Sequence, residues 1–129
     1  MRVYLDTAIV IYIVEQNPAF SPAVTAKLTA LGGTLVSSEL ARMEALIVPI
    51  RIGNTGLIQD FEGFFLNTLA ELIEFPRPIF DTAARIRATF KFKTPDALHL
   101  AAAVESGCDV FLTNDHQLTK FTGITVEVV

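Results

Sequence analysis

The chain has 129 residues, of which 51% are hydrophobic and 19% charged, and it carries a formal net charge of −4. These values are typical of one globular domain and argue against nucleic-acid binding over a broad basic surface, which depends on neutralising phosphates. No apolar run approaches the roughly 20 residues that span a bilayer, and the start lacks a cleavable signal pattern, so we expect a cytoplasmic protein.

Short apolar strands and helices alternate along the first part of the chain. Prolines and glycines mark where the helices begin and end, and Ser37 and Ser38 are suitable residues to cap the third helix. The pattern predicts a strand at 2–5, a helix at 7–15, a helix from Ser21 to about Gly32, a strand at 35–36 and a helix from Ser38 to about Ile52.

The same alternation continues to the end of the sequence. It predicts an aromatic-rich helix at 54–69, a strand at 72–75, a helix at 79–90, a helix beginning at Thr94, a strand at 110–112, one turn at 117–120 and an edge strand at 124–128. Strands that alternate with helices predict an α/β fold, a three-layer α/β/α sandwich with a short, mostly parallel central sheet. We expect residues 1–129 to form a single domain.

Acidic residues directly follow two of the predicted strands. Asp6 comes after the strand at 2–5, and Asp115 comes shortly after the strand at 110–112. Because sites in open parallel sheets form beyond the carboxyl ends of strands, both side chains can share one edge. Each aspartate also has a purely local interpretation as a helix cap. Asp96, in the first turn of the helix beginning at Thr94, has a similar local interpretation, because an acid there interacts favourably with the helix dipole.

Glu44 is the most informative of the acids. Its neighbours three and four residues away on the predicted helix are all apolar, so no cation on that helix can pair with it. It lies at the border of the apolar stripe, where an unpaired buried carboxylate would be costly. The sequence therefore predicts that Glu44 is bound to a cation or hydrogen-bonded.

Several carboxylates without a cluster of histidines and cysteines are the ligands that a hard divalent ion prefers, so Mg²⁺ or Mn²⁺ fits better than structural zinc. Such an ion can activate water and stabilise the charge that develops during attack on a phosphodiester. Hydrolysis of phosphodiester bonds is the chemistry that this set of residues favours.

Four segments of the chain, in order and at these separations, resemble the PIN-domain endoribonucleases, and especially toxins of the VapC type. The resemblance covers nearly the whole chain and rests on the segments Asp6-Thr7, Ser37 to Glu44, Thr94 to Ala103 and Phe111 to Asp115. The residues Gln117-Leu118-Thr119 depart from the pattern of many relatives, which carry another charged residue and an aromatic there. Asp115 is therefore the acid that the resemblance supports least.

The resemblance implies a metal-dependent endoribonuclease that is the toxin of a toxin–antitoxin pair. It implies one or two Mg²⁺ or Mn²⁺ ions, a substrate of structured RNA, commonly tRNA, and a cognate antitoxin as protein partner. The implied metal-binding and catalytic residues are Asp6, Glu44, Asp96 and Asp115, and the implied supporting polar residues are Thr7, Thr113 and Asn114.

Other features bear on partners. The mean hydropathy of +0.47 is high for a soluble monomer, which favours a homodimer that buries apolar surface. Half of the basic residues fall between Arg77 and Lys93, which makes this segment the candidate for phosphate contacts, although a solvated helix face explains it equally well. The candidates in this segment are Arg85, Arg87, Lys91 and Lys93.

Two kinds of side chain are open to a functional and a structural interpretation. His99 invites a role in proton transfer, and an Asp–His pair or a polar edge of the site is the simpler interpretation. Phe61, Phe64 and Phe65 suggest stacking on bases, but their clustering on one helix favours packing in the core or at a dimer interface.

Two other classes of protein remain for comparison. A phosphate-accepting receiver domain has a similar length and an acidic Mg²⁺ site, but the region from Gly53 to Leu57 offers no acceptor aspartate. A noncatalytic PIN-like module that binds RNA or protein is the alternative to the enzyme, and a metal-dependent nuclease assay separates the two.

Overall fold

A computed structural model describes all residues from 1 to 129 and contains five strands and six α-helices. The strands are β1 (Arg2–Leu5), β2 (Thr34–Ser38), β3 (Glu71–Ile73), β4 (Val110–Thr113) and β5 (Thr125–Val128). The helices are α1 (Thr7–Val14), α2 (Ser21–Leu31), α3 (Glu39–Arg51), α4 (Thr55–Gly63), α5 (Arg77–Phe90) and α6 (Thr94–Glu105). A π-helical segment at Phe64–Thr68 extends α4, and a 3₁₀ segment at His116–Lys120 follows β4.

The five strands form one sheet in the order β3-β2-β1-β4-β5, and every pair of neighbours is parallel. The sheet is therefore wholly parallel, where the sequence predicted a mostly parallel one. Since all five strands run in the same direction, their carboxyl ends meet at one edge, and β1 lies at the centre of that edge.

Helices cover both faces of the sheet, which confirms the expected α/β/α sandwich. Val3 and Leu5 of β1 pack with α1, α2, α3 and α4 on one face, whereas Tyr4 packs with α5 and α6 on the other. This alternation follows from the two-residue period of a strand. It directs the Tyr4 side chain towards α6.

Several element boundaries differ from those predicted, including that of β2, which covers Thr34–Ser38 instead of 35–36. The strand β3 covers Glu71–Ile73 instead of 72–75, and α5 begins at Arg77 because Pro78 fits the first turn of a helix. The long helix expected at 54–69 ends as an α-helix at Gly63 and continues as the π-helical segment. Its three phenylalanines are buried in the core, as the packing interpretation predicted: Phe61, Phe64 and Phe65.

The longest helix has 14 residues, and none of the helices combines the length and the apolar character that crossing a bilayer requires.

Candidate active site

Asp6 lies directly after β1 and is held through both of its carboxylate oxygens. Its Oδ1 accepts a hydrogen bond from the backbone N–H of Thr7 at 2.8 Å, and its Oδ2 accepts one from the hydroxyl of Thr113 at 2.7 Å. Asp6 is therefore the N-cap of α1, as its local interpretation predicted, and it also contacts the end of a neighbouring strand. These contacts fix the position of a nearly buried carboxylate.

Thr113 links Asp6 to Asp115. β1 and β4 are paired in parallel up to the residues just before Asp6 and Thr113, so these two side chains lie next to each other. The buried Thr113 hydroxyl also accepts a hydrogen bond from the backbone N–H of Asp115 at 3.1 Å. Asp115 in turn caps the 3₁₀ segment by accepting from the N–H of Gln117 at 2.9 Å. Its capping role and its place at the sheet edge therefore coexist.

Glu44 of α3 receives two hydrogen bonds at one oxygen. Its Oε1 accepts from Nε2 of His99 at 2.6 Å and from the Thr7 hydroxyl at 2.7 Å. Thus the partner that α3 lacks comes from α6. Oδ1 of Asp6 lies 3.7 Å from the same His99 nitrogen, so the carboxylates of Asp6 and Glu44 both lie near one edge of the imidazole.

The ionisation of Glu44 follows from these contacts. Burial alone would raise the pKa of the carboxyl group, but the hydrogen bonds from His99 and Thr7, together with the attraction of His99, outweigh burial and lower the pKa. Glu44 is therefore ionised at neutral pH and acts only as a hydrogen-bond acceptor.

Asp96, in the first turn of α6, has no such compensation. Partial burial raises the pKa of its carboxyl group, and the negative charges of Asp6 and Asp115 raise it further, against the weaker attraction of His99 and Lys93. Asp96 thus lies near enough to Asp6 and Asp115 for their negative charges to act on it. Asp96 and Asp115 line a cleft of ≈ 260 Å³.

The three supporting polar residues from the sequence prediction do not all contact the acids. Thr7 and Thr113 contact the acids directly, whereas the exposed Asn114 donates to the Tyr12 hydroxyl of α1 at 2.9 Å.

Of the four candidates for phosphate contacts, Lys91 and Lys93 line the cleft of the acids. Arg87 lies with Lys91 in an adjoining cleft and donates from Nε to the backbone carbonyl of Phe92 at 3.1 Å. Arg85 lines neither cleft, because two residues along α5 from Arg87 it lies on nearly the opposite side of the helix.

Residues that the sequence interpretation did not assign to the site join Glu44 to the core. The Tyr4 hydroxyl lies 2.7 Å from Nδ1 of His99 and 2.6 Å from Oγ of Ser38, and all three residues are buried. Burial raises the pKa of Tyr4 well above its ordinary value, so the hydroxyl keeps its proton. The available signals were a polar atom within an otherwise apolar strand and a histidine three residues after Asp96.

The acids can hold a hard divalent ion in an open arrangement. No group of three or more His, Cys, Asp and Glu side chains forms a compact metal cage. Mg²⁺ does not require one, because it usually keeps several waters and binds through one or two carboxylates. The donors are all oxygens, and a cation would offset both the burial and the nearby negative charges that raise the pKa of Asp96. The residues therefore fit Mg²⁺ or Mn²⁺.

Comparison with protein families assigns the chain to a known group. The model of the PIN domain matches residues 3–124, which is nearly the whole chain. The chain belongs to the PIN domain family. The four acids of this PIN domain come from the segments on which the resemblance to the family rests. Comparison with curated protein sequences gave no significant match.

Crystal structures of toxins of the VapC type have the same fold as this PIN domain. VapBC2 from Rickettsia felis, bound to a promoter DNA fragment, matches with a TM-score of 0.80 and 18% identity, over 99% of this chain and 98% of that chain. DNA-bound VapBC from Salmonella typhimurium gives 0.78 and 18%, with the same coverage. VapC20 from Mycobacterium tuberculosis, described as a toxin that cleaves the sarcin–ricin loop, gives 0.72 and 12%, over 95% and 98%.

The burial of Asp96 and the negative charges near it lead to a prediction about stability. Asp96→Asn should raise the melting temperature of the metal-free PIN domain at neutral pH. Because the pKa of Asp96 is raised in the folded state, its ionised form destabilises the fold above that pKa, and the amide removes this effect. The gain should disappear as the pH falls below the ordinary pKa of aspartate, where both states are protonated. Thermal melts in EDTA over a pH series measure it.

Asp60→Asn, at an exposed position of α4, is the matched control and should leave the melting temperature unchanged. A lower melting temperature for Asp96→Asn at neutral pH would indicate that Asp96 serves only the helix dipole, and it would contradict the crowding of charge at this edge.

Proposed function

We propose that this PIN domain is a metal-dependent endoribonuclease and the toxin of a toxin–antitoxin pair, acting in the cytoplasm as a single catalytic domain over residues 1–129. The observation that carries the proposal is the arrangement of the acids at the carboxyl edge of the sheet. Oxygens of Asp6 and Glu44 lie 3.7 Å and 2.6 Å from the same His99 nitrogen, and the charges of Asp6 and Asp115 add to the burial that raises the pKa of Asp96. This arrangement has the oxygen donors and the surplus of negative charge that a divalent ion requires.

Asp6, Glu44, Asp96 and Asp115 would hold one or two Mg²⁺ or Mn²⁺ ions. When bound, such an ion lowers the pKa of water and stabilises charge on a phosphodiester. In the hydrolysis, a bond forms between the water oxygen and phosphorus, one phosphorus–oxygen ester bond breaks, and the leaving oxygen takes up a proton. The chain itself keeps Asp6 oriented through Thr7 and Thr113 and keeps Glu44 ionised through His99.

RNA would reach the acids past a short group of basic side chains, here called the basic border, which consists of Arg87, Lys91 and Lys93. Lys91 and Lys93 line the same cleft as Asp96 and Asp115, and Arg87 extends the positive charge along the end of α5. With a net charge of −4 the whole chain repels a polyanion, so affinity has to come from these few local cations. A small contact region of this kind suits one exposed, structured segment of RNA, such as a loop of tRNA.

The nuclease proposal predicts RNA cleavage with Mg²⁺ or Mn²⁺ and none in EDTA. Asp6→Asn and Asp96→Asn should each lower the rate by at least about a hundredfold while the protein stays folded, because each removes a charge that would hold the ion. Cleavage of a labelled structured RNA, followed on gels, measures the rate, and circular dichroism checks the fold. Asp60→Asn, outside the site, should cleave at the wild-type rate.

Undiminished cleavage in EDTA would refute the role of the metal. RNA binding without cleavage at any metal concentration would instead favour a noncatalytic PIN-like module.

The basic border generates a separate prediction about affinity. Lys91→Ala and Lys93→Ala should each weaken RNA binding and reduce the slope of log affinity against log salt by about one unit, as expected for one lost phosphate contact. Binding is measured by fluorescence anisotropy in the Asp6→Asn background, so that the RNA stays intact. Lys27→Ala on α2, across the sheet, is the control. Equal slopes for all variants would place the RNA elsewhere.

A protein partner follows from the same proposal. The similar structures from Rickettsia felis and Salmonella typhimurium are VapBC complexes, and the acids of this chain are suited to an arginine or lysine of an inhibitor. We propose a small antitoxin that blocks the cleft, and a homodimer of this chain. An apolar exposed surface on α3 and its C-cap residue is available for self-association and comprises Met43, Ile47, Val48, Ile50 and Ile52.

Purification at native expression should therefore yield the chain together with a small protein that mass spectrometry identifies. That protein should carry the arginine or lysine that enters the cleft. Adding that protein should abolish cleavage, and replacing its inserted arginine or lysine by alanine should restore cleavage. Recovery of the homodimer alone at native expression would count against an antitoxin.

A further inference from the structure

A buried line of hydrogen bonds runs from the sheet to the edge of the acid cluster. The Ser38 hydroxyl lies 2.6 Å from the Tyr4 hydroxyl, which lies 2.7 Å from Nδ1 of His99, and Nε2 of His99 lies 2.6 Å from Oε1 of Glu44. Ser38 and Tyr4 are 0% exposed, and His99 is 2% exposed. Three separate elements, β2, β1 and α6, thus supply the support of one carboxylate.

The direction of the bond at Glu44 follows from hydrogen-bonding rules. The ionised carboxylate can only accept, so Nε2 of His99 carries the proton and donates it. The Tyr4 hydroxyl faces the other ring nitrogen and holds the plane of the imidazole. Oε1 of Glu44 is occupied by His99 and Thr7, whereas Oε2 accepts no hydrogen bond from the protein. One oxygen of Glu44 is therefore fixed and the other is free.

Stability alone does not account for this line of polar groups. A set of apolar side chains of similar shape in the same place would serve the core about equally well, since the net contribution of hydrogen-bonded pairs is small and their desolvation is costly. The Tyr4 ring already packs against Phe111, with ring centroids 5.2 Å apart, and this contact does not need the hydroxyl. The imidazole makes its one hydrogen bond to an acid at Glu44, at 2.6 Å, whereas Oδ1 of Asp6 lies 3.7 Å from the same nitrogen.

We infer that His99, oriented by Tyr4 and Ser38, is a positioning residue that holds Glu44 with its free oxygen available to the metal site. The inference rests on the proposed function, because it assigns His99 to the support of one proposed ligand. Hydrogen bonds that orient ligating carboxylates act in this way in metal sites, and their removal typically costs about ten- to a hundredfold in metal affinity or activity.

The length of the side chain at position 99 provides a test of this inference. The amide nitrogen of glutamine can occupy the position of Nε2 in histidine, whereas asparagine is too short to reach Glu44. His99→Gln should keep the Mn²⁺ affinity within a few fold of wild type, whereas His99→Asn should weaken it by about ten- to a hundredfold. Mn²⁺ binding to the otherwise metal-free protein is measured by calorimetry, without reference to RNA cleavage. His116→Asn, at the only other histidine and an exposed one, is the matched control.

A double variant separates positioning from a general structural effect. If His99 acts through Glu44, then adding His99→Asn to Glu44→Gln should cause no further loss of Mn²⁺ affinity, whereas independent effects would add. Tyr4→Phe covers the case in which the His99 variants do not fold, because it keeps the ring and removes only the hydroxyl. Tyr4→Phe should also weaken Mn²⁺ binding, as His99→Asn does.

The outcomes distinguish this inference from the function on which it rests. Wild-type protein that binds no Mn²⁺ would overturn the proposed metal site and the inference together. If the wild-type protein binds Mn²⁺ and the folded His99→Asn or Tyr4→Phe variant binds it with equal affinity, the inference alone would be overturned. Full additivity of His99→Asn and Glu44→Gln would also overturn it.

Discussion

Repulsion among carboxylates at one edge of a parallel sheet is the constraint around which the rest of this molecule is arranged. Four acids lie where β1 and β4 end and where α3 and α6 pass, and partial burial together with the charges of Asp6 and Asp115 raises the pKa of Asp96. Hydrogen-bond donors hold the carboxylate of Asp6, through Thr7 and Thr113, and that of Glu44, through His99. Asp6 and Glu44 thus receive hydrogen bonds from other elements, whereas at Asp96 the attraction of His99 and Lys93 does not outweigh burial and the neighbouring negative charges.

The two faces of the sheet contribute differently to this edge. On the side of α1 to α4, the strand residues Val3 and Leu5 join a hydrophobic core, and α3 carries Glu44 to the site. On the side of α5 and α6, Tyr4 and His99 form a polar line within an otherwise apolar cluster. The site is therefore supported from the core, which gives its side chains fewer alternative positions than residues on a loop would have.

Local charge, and not net charge, governs the proposed interaction with RNA. The chain is acidic as a whole, yet the end of α5 and the start of α6 place Lys91 and Lys93 beside the acids. A polyanion would therefore be held by a few contacts close to the reacting bond. Such an arrangement favours recognition of a particular exposed RNA segment over general attachment along nucleic acid.

The sequence by itself determined the alternation of strands and helices, and with it the α/β/α fold, because periodicity and punctuation by proline and glycine are local properties. It also placed Asp6 and Asp115 beyond strand ends and singled out Glu44 as a carboxylate without a partner on its own helix. The partner itself could not be predicted, since His99 is 55 residues away in the chain and meets Glu44 only through the packing of α6 against the sheet. Likewise, only the tertiary structure decided that Tyr4 points towards α6 and that Lys91 and Lys93, but not Arg85, line the cleft, because these outcomes depend on how helices are rotated against strands.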